Sequence, residues 1–172
     1  CCSLTGRKPL RAAWGRFAGK LLPGAWLDVE VTDKDIGSMH NKSLVQDYIT
    51  RAGKRLLAVE VLYREQSWAD VVRECQEIVE LTLKALLRAF DIEVPRIHDV
   101  SGALEAEKER LPKEVRSSLE MLINASKTLR RDRELAFYGS EDLTPSEFYA
   151  KPDAEAALGL ARKTHALVSR AV

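Results

Sequence analysis

The residues 129–139, LRRDRELAFYG, hold the densest set of side chains able to do chemistry in this chain. Arg130, Arg131 and Arg133 put three guanidinium groups within one helical turn, and the planar fork of arginine matches the oxygens of a phosphate. They read either as a phosphate clamp or as a solvated helix end in which Arg131 pairs with Asp132 or Glu134. A second set lies upstream. Glu80 precedes Lys84 by four residues, the favourable order for an ion pair along a helix, and the two are expected as a partly buried pair inside the bundle or a dimer seam. His98 beside Asp99 could serve as an acid or base, although capping a helix or tying a loop to the core is the commoner task of such a residue. His40 and His165 have no partner within their own segments.

These groups need a scaffold, and the pattern supplies one. From Trp68 onward, Val72, Cys75, Val79, Leu83, Leu86 and Phe90 recur at steps of three and four, the period of one helix face. Val71, Ile78 and Leu87 widen that stripe past half the circumference, leaving a narrow polar seam through Arg73, Glu77, Glu80, Lys84 and Arg88. A helix this apolar must be the centre of a bundle. Ser67 is expected to cap it, and Pro95 to end it, because proline disfavours helix for the residue before it. A preceding helix, capped by Ser43, carries Leu44, Tyr48, Ala52, Leu56, Val59 and Leu62 inward, and Gln66-Ser67 breaks it; so short a turn makes the two antiparallel. Asp99 or Ser101 opens a short third helix through Leu104. Pro112 starts a fourth, through Val115, Leu119, Leu122, Ile123, Ser126 and Leu129, which Gly139 stops. After a turn-rich loop bracketed by Pro145 and Pro152, a last helix from Asp153 directs Ala156, Leu160, His165 or Ala166, Leu167 and Val168 to the core. The expected fold is all-α, an up-and-down bundle of about five helices over residues 43–172.

Residues 1–38 differ from the rest. They hold five of the nine glycines, and Trp14, Phe17 and Trp26 stand among Arg7, Lys8, Arg11, Arg16 and Lys20. Leu27–Val31 alternates like a short strand, and Thr32, Asp33 and Asp35 read as a turn or cap. The segment is either an N-terminal arm or, since Gly37-Ser38-Met39 looks like a cloning junction, not native to the domain.

The totals set limits. At 172 residues, with 45% hydrophobic and 31% charged side chains, the chain can bury a core without staples. A net charge of +1 leaves no global footprint for a polyanion, so any nucleic-acid contact must be local. Cys1, Cys2 and Cys75 form neither a disulfide framework nor a metal-ligand spacing, and no metal or cofactor is expected. No apolar run approaches the roughly 20 residues that span a bilayer, and no secretion signal is evident, so the protein is expected in the cytoplasm without membrane contact.

The order of these features, from RAGKRLLAVEVLYREQ through the central helix to the Pro95, His98 and Asp99 set, resembles the HEPN family (higher eukaryotes and prokaryotes nucleotide-binding domain). Glu80 and Lys84 stand where that family has an acidic residue and a lysine. The resemblance implies a helical bundle that pairs as a homodimer. Many members are metal-independent ribonuclease toxins, often encoded beside a minimal nucleotidyltransferase antitoxin; others bind nucleotides or partners without catalysis. The ribonuclease motif is an arginine, a polar neighbour and, a few residues on, a histidine, with a tyrosine two positions later in some toxins. By resemblance Arg131 and Asp132 open that motif, Tyr138 closes it, and Arg130 and Arg133 would hold substrate RNA or nucleotide. Ala136 occupies the histidine position. In that chemistry the histidine takes a proton from a ribose hydroxyl while arginine stabilises charge on phosphorus, and alanine does neither. The chain is therefore expected to be an inactive or weakened ribonuclease, degenerate or silenced by substitution, with a non-enzymatic binding or dimerisation module as the alternative. Positions 131 and 136 also lie about 140° apart on a regular helix, so a distorted helix end or a second protomer would have to complete the site.

Overall fold

The computed structural model describes residues 33–138 and 143–172, with the side chains of 33–40, 131–135 and 137–138 left aside. Among these residues the protein has seven α-helices and no strand: α1 (Asp33–Arg64), α2 (Trp68–Ala89), α3 (Ser101–Ala106), α4 (Lys113–Arg116), α5 (Leu119–Tyr138), α6 (Pro145–Phe148) and α7 (Lys151–Ala171), with a 3₁₀ turn at Lys108–Arg110. Four are long and three are single or double turns joining them, which is how an expectation of about five becomes seven.

The centre is α2, which packs against α1, α5 and α7. Val71, Val72, Cys75, Ile78, Val79, Leu83, Leu86 and Leu87 are all buried, as the wide stripe requires. Each fully buried leucine or isoleucine contributes roughly 1.5–3 kcal/mol of transfer free energy, so this helix is the main source of cohesion. Arg55 reaches Glu74 at 2.5 Å and Asn41 reaches the carbonyl of Arg88 at 2.9 Å, pairings that run in opposite directions along α1 and α2. The two helices are antiparallel. Likewise Tyr63 donates to Glu155 at 2.6 Å and His165 Nε2 meets the carbonyl of Ile49 at 3.2 Å, which sets α7 antiparallel to α1.

Both α1 and α2 stop by the same device. After α1, Gln66 has φ 60°, with Gln66 N–H bonded to Tyr63 O and Ser67 N–H to Leu62 O. After α2, Asp91 has φ 52°, with Asp91 N–H bonded to Arg88 O and Ile92 N–H to Leu87 O. These are Schellman ends built on non-glycine residues in the left-handed region. Hence α2 ends several residues before Pro95, and Asp91 rather than proline stops it. Ser67 stands at the N-cap position, but its hydroxyl donates to the Asp70 carboxylate at 2.5 Å instead of accepting a backbone N–H.

Three further boundaries differ from expectation. Helix α1 starts at Asp33 and runs through Gly37, Ser38 and Met39, so Ser43 lies inside it. Pro112 is the N-cap of the one-turn α4, and a Ser117-Ser118 turn separates it from α5. Helix α7 begins at Lys151, with Asp153 accepting the N–H of Ala150 at 2.9 Å. Its inner face is Ala154, Ala157, Leu158, Ala161, Thr164 and Val168, whereas Ala156 and Ala166 are exposed. Alanines on every side of this helix blur the period that should mark its face. The expectations for residues 1–32 and for Gly139 fall outside the described residues. No helix among those described is long and apolar enough to cross a membrane.

Candidate functional site

Along α2 the polar seam is a connected chain of hydrogen bonds. Arg73 Nη1 donates to Glu77 Oε1 at 2.7 Å and to Gln76 Oε1 at 3.1 Å, and Gln76 Nε2 donates to Glu80 Oε2 at 2.8 Å. Lys84 Nζ donates to Glu80 Oε1 at 2.8 Å, and His98 Nδ1 lies 2.8 Å from Glu80 Oε2. The Glu80 side chain is 12% exposed and that of Lys84 17%. Burial pushes the Glu80 carboxyl up, but hydrogen bonds from Lys84, His98 and Gln76 more than offset it and hold the group below its ordinary value. Three donors converge on one carboxylate. Glu80 is thus a structural anion, not a free base, and His98 ties its loop to α2 as the commoner reading expects.

Next to it, Asp99 fixes the start of α3. Its Oδ1 accepts the N–H of Ser101 at 2.9 Å and the hydroxyl of Ser126 at 2.8 Å, while Ser126 Oγ accepts the N–H of Val100 at 3.2 Å. Burial raises the Asp99 carboxyl, yet the bonds from Ser101 and Ser126, with the charge of Arg130, leave it lowered. Gln76 and Ser126 are the links that residue spacing missed. Their signal was a polar side chain among apolar neighbours of a core-facing stripe.

Arg130 lies one turn beyond Ser126 on α5, exposed. Position 133 falls on that same face, seven residues from 126 and so two turns along. Arg131, Asp132, Arg133 and Tyr138 stand on α5, but their side chains lie outside the described residues. Ala136 does not: it is 4% exposed and belongs to the apolar core with Leu122 and Leu129, each two turns from the next. Helix α5 continues unbroken to Tyr138, so no distortion brings positions 131 and 136 to one side. Burial raises the Cys75 thiol to about 12, which keeps it protonated and inert. Among the described residues no group of three or more His, Cys, Asp or Glu could hold a metal ion.

The model of the HEPN domain matches residues 45–171, which span the bundle from α1 to α7. This chain belongs to the HEPN family. No curated protein matches it. Among solved structures, the HEPN bundle is similar to the crystal structure of TT1696 from Thermus thermophilus, with a TM-score of 0.63 and 23% identity, over 74% of this chain and 98% of that one. That likeness concerns the fold. Within the HEPN match lie the α2 seam, the Asp99–Ser126 tie and the α5 arginines.

Proposed function

We propose that this HEPN domain binds a phosphate-bearing ligand, a nucleotide or RNA, without cleaving it. The observation that supports this reading is the inward, buried setting of Ala136 at the position of the ribonuclease histidine. The residue there is not merely inert: it is part of the apolar core, a setting poorly suited to an imidazole that must act on a solvent-borne substrate. The ligand contacts in this reading are Arg130 and Arg133 on the face of α5 that carries Ser126, with Arg131, Asp132 and Tyr138 as remnants of the toxin motif. The domain pairs as a homodimer, and a minimal nucleotidyltransferase is the partner that the toxin resemblance brings with it.

Calorimetry with ATP and with a short single-stranded RNA, beside a metal-free RNA cleavage assay, tests the reading. Saturable binding that weakens in Arg130→Ala, with no cleavage by the parent or by Ala136→His, is the expected result. Metal-free cleavage by the parent that disappears in Arg131→Ala would restore the ribonuclease reading. Sedimentation at micromolar protein should give about twice the 19.3 kDa of one chain; a single-chain mass overturns the dimer.

A further inference from the structure

At the C-terminal end of α2 lies a cavity of about 450 Å³ whose lining includes Asn41, Lys42, Val45, Gln46, Arg88 and Phe90. That volume falls within the range of small-molecule sites. Its charge is unusual. Among the described residues neither Arg88 nor Lys42 has a carboxylate within ion-pairing distance, and Arg88 Nε is buried with no hydrogen-bond partner. A buried donor left unmade costs on the order of 1–3 kcal/mol, so its retention beside a cavity calls for a reason.

The ordinary reason for an arginine in the last turn of a helix is to satisfy the terminal carbonyls. Here other groups do that. The Leu87 carbonyl accepts from Phe90 N–H and Ile92 N–H, and the Arg88 carbonyl from Asp91 N–H and Asn41 Nδ2. Arg110 Nη2 donates to the carbonyls of Phe90 and Asp91 at 3.0 and 2.8 Å. The Arg88 guanidinium instead lies over the Tyr48 ring, with its Cζ 5.8 Å from the centroid. Asp91, the carboxylate also lining the cavity, is engaged by Asn41 Nδ2 at 3.3 Å. An incoming molecule would meet the cations of Arg88 and Lys42 and the second N–H of Gln46, whose first is given to Thr50, around an apolar floor of Val45, Ala89 and Phe90. Asp91, held by Asn41, stands on one side, and Ala171 and Val172 at the end of α7 on another.

We infer that this cavity binds a small organic anion, one phosphate or carboxylate carried on an apolar body. The oxyanion would meet Arg88 and Lys42, and the body would cover Val45 and Phe90. The inference goes beyond the reading of α5 and uses none of its residues.

The test is an NMR titration of the ¹⁵N-labelled full chain with phenyl phosphate, benzoate, inorganic phosphate and benzyl alcohol in separate arms. Phenyl phosphate or benzoate should shift the amides of residues 41–46 and 88–91 saturably, in the millimolar range or tighter. Inorganic phosphate and benzyl alcohol should each bind at least about tenfold more weakly, since each offers half of the contacts. Arg88→Met, which keeps an apolar stem of similar length and removes the charge, should weaken the aromatic anions about tenfold or more, as loss of a charge-assisted bond requires. Lys42→Ala, at an exposed site that leaves the fold intact, should weaken them less, and Arg130→Ala should leave them unchanged. Absence of saturable shifts with both aromatic anions overturns the inference. So does binding that neither Arg88→Met nor Lys42→Ala alters.

Discussion

The charges of the α2 seam and that of Arg130 on α5 are partnered in opposite ways. Along α2, Arg73, Glu77, Glu80 and Lys84 are mostly buried and bonded to one another, and His98 closes the set from a loop 18 residues away. On α5, Arg130 is exposed and has no carboxylate within ion-pairing distance among the described residues; Asp99 feels its charge only at long range. Charges that have been desolvated must be matched, because leaving one unmatched costs about 3–5 kcal/mol. A charge left in water, as Arg130 is, needs no such match. The first set serves the fold, and the second is where the proposed ligand would bind.

The contrast can be broken most sharply at Glu80. Glu80→Ala leaves Lys84, Gln76 and His98 facing a gap and should cost about 3–5 kcal/mol, read from the shift of a urea midpoint. A loss within the range of an ordinary surface change would mean that the seam is solvated after all. Acid should act on the same set. The Glu80 and Asp99 carboxyls lie below their ordinary values of 4.5 and 3.8, so the unfolded chain takes up protons first as pH falls. Stability should be fully present above those values and drop as pH passes below them, and the drop should shrink in Glu80→Gln.

Ala136→His comes next in size. Adding an imidazole to a packed face should cost roughly 1–3 kcal/mol and give no metal-free RNA cleavage. A stable variant that cleaves RNA would show that α5 opens at its end. Ser126→Ala removes the hydroxyl shared by Asp99 and the Val100 amide and should cost about 1–3 kcal/mol, with the start of α3 losing amide-exchange protection first. The smallest effect on stability is expected from Arg130→Ala, within about 0.5 kcal/mol, while its affinity for nucleotide falls several-fold. A large stability loss there would place Arg130 with the α2 set and end the contrast.

Much of this was legible before folding is considered, and the misses share a cause. The stripe from Val71 to Leu87 named α2 as the central helix, and the Glu80–Lys84 pair followed from spacing alone. The ends of α1 and α2 did not, since Gln66 and Asp91 adopt the left-handed conformation without the glycine that announces it. Nor did the inner face of α7, where alanines carry too little apolar contrast to show a period.

What the sequence by itself determined is whatever lies within one or two turns of a helix: the period, the i,i+4 pair, the three clustered arginines, and the family that the order of these features identifies. Tertiary structure alone decided which surfaces meet. It brought His98 onto Glu80 and Ser126 onto Asp99, turned Ala136 into the core, and laid Asn41 and Lys42 of α1 beside Arg88 of α2. The physical reason is range. A helix repeats every 3.6 residues, so local spacing encodes neighbours along it, whereas contacts across the bundle depend on how whole apolar faces pack.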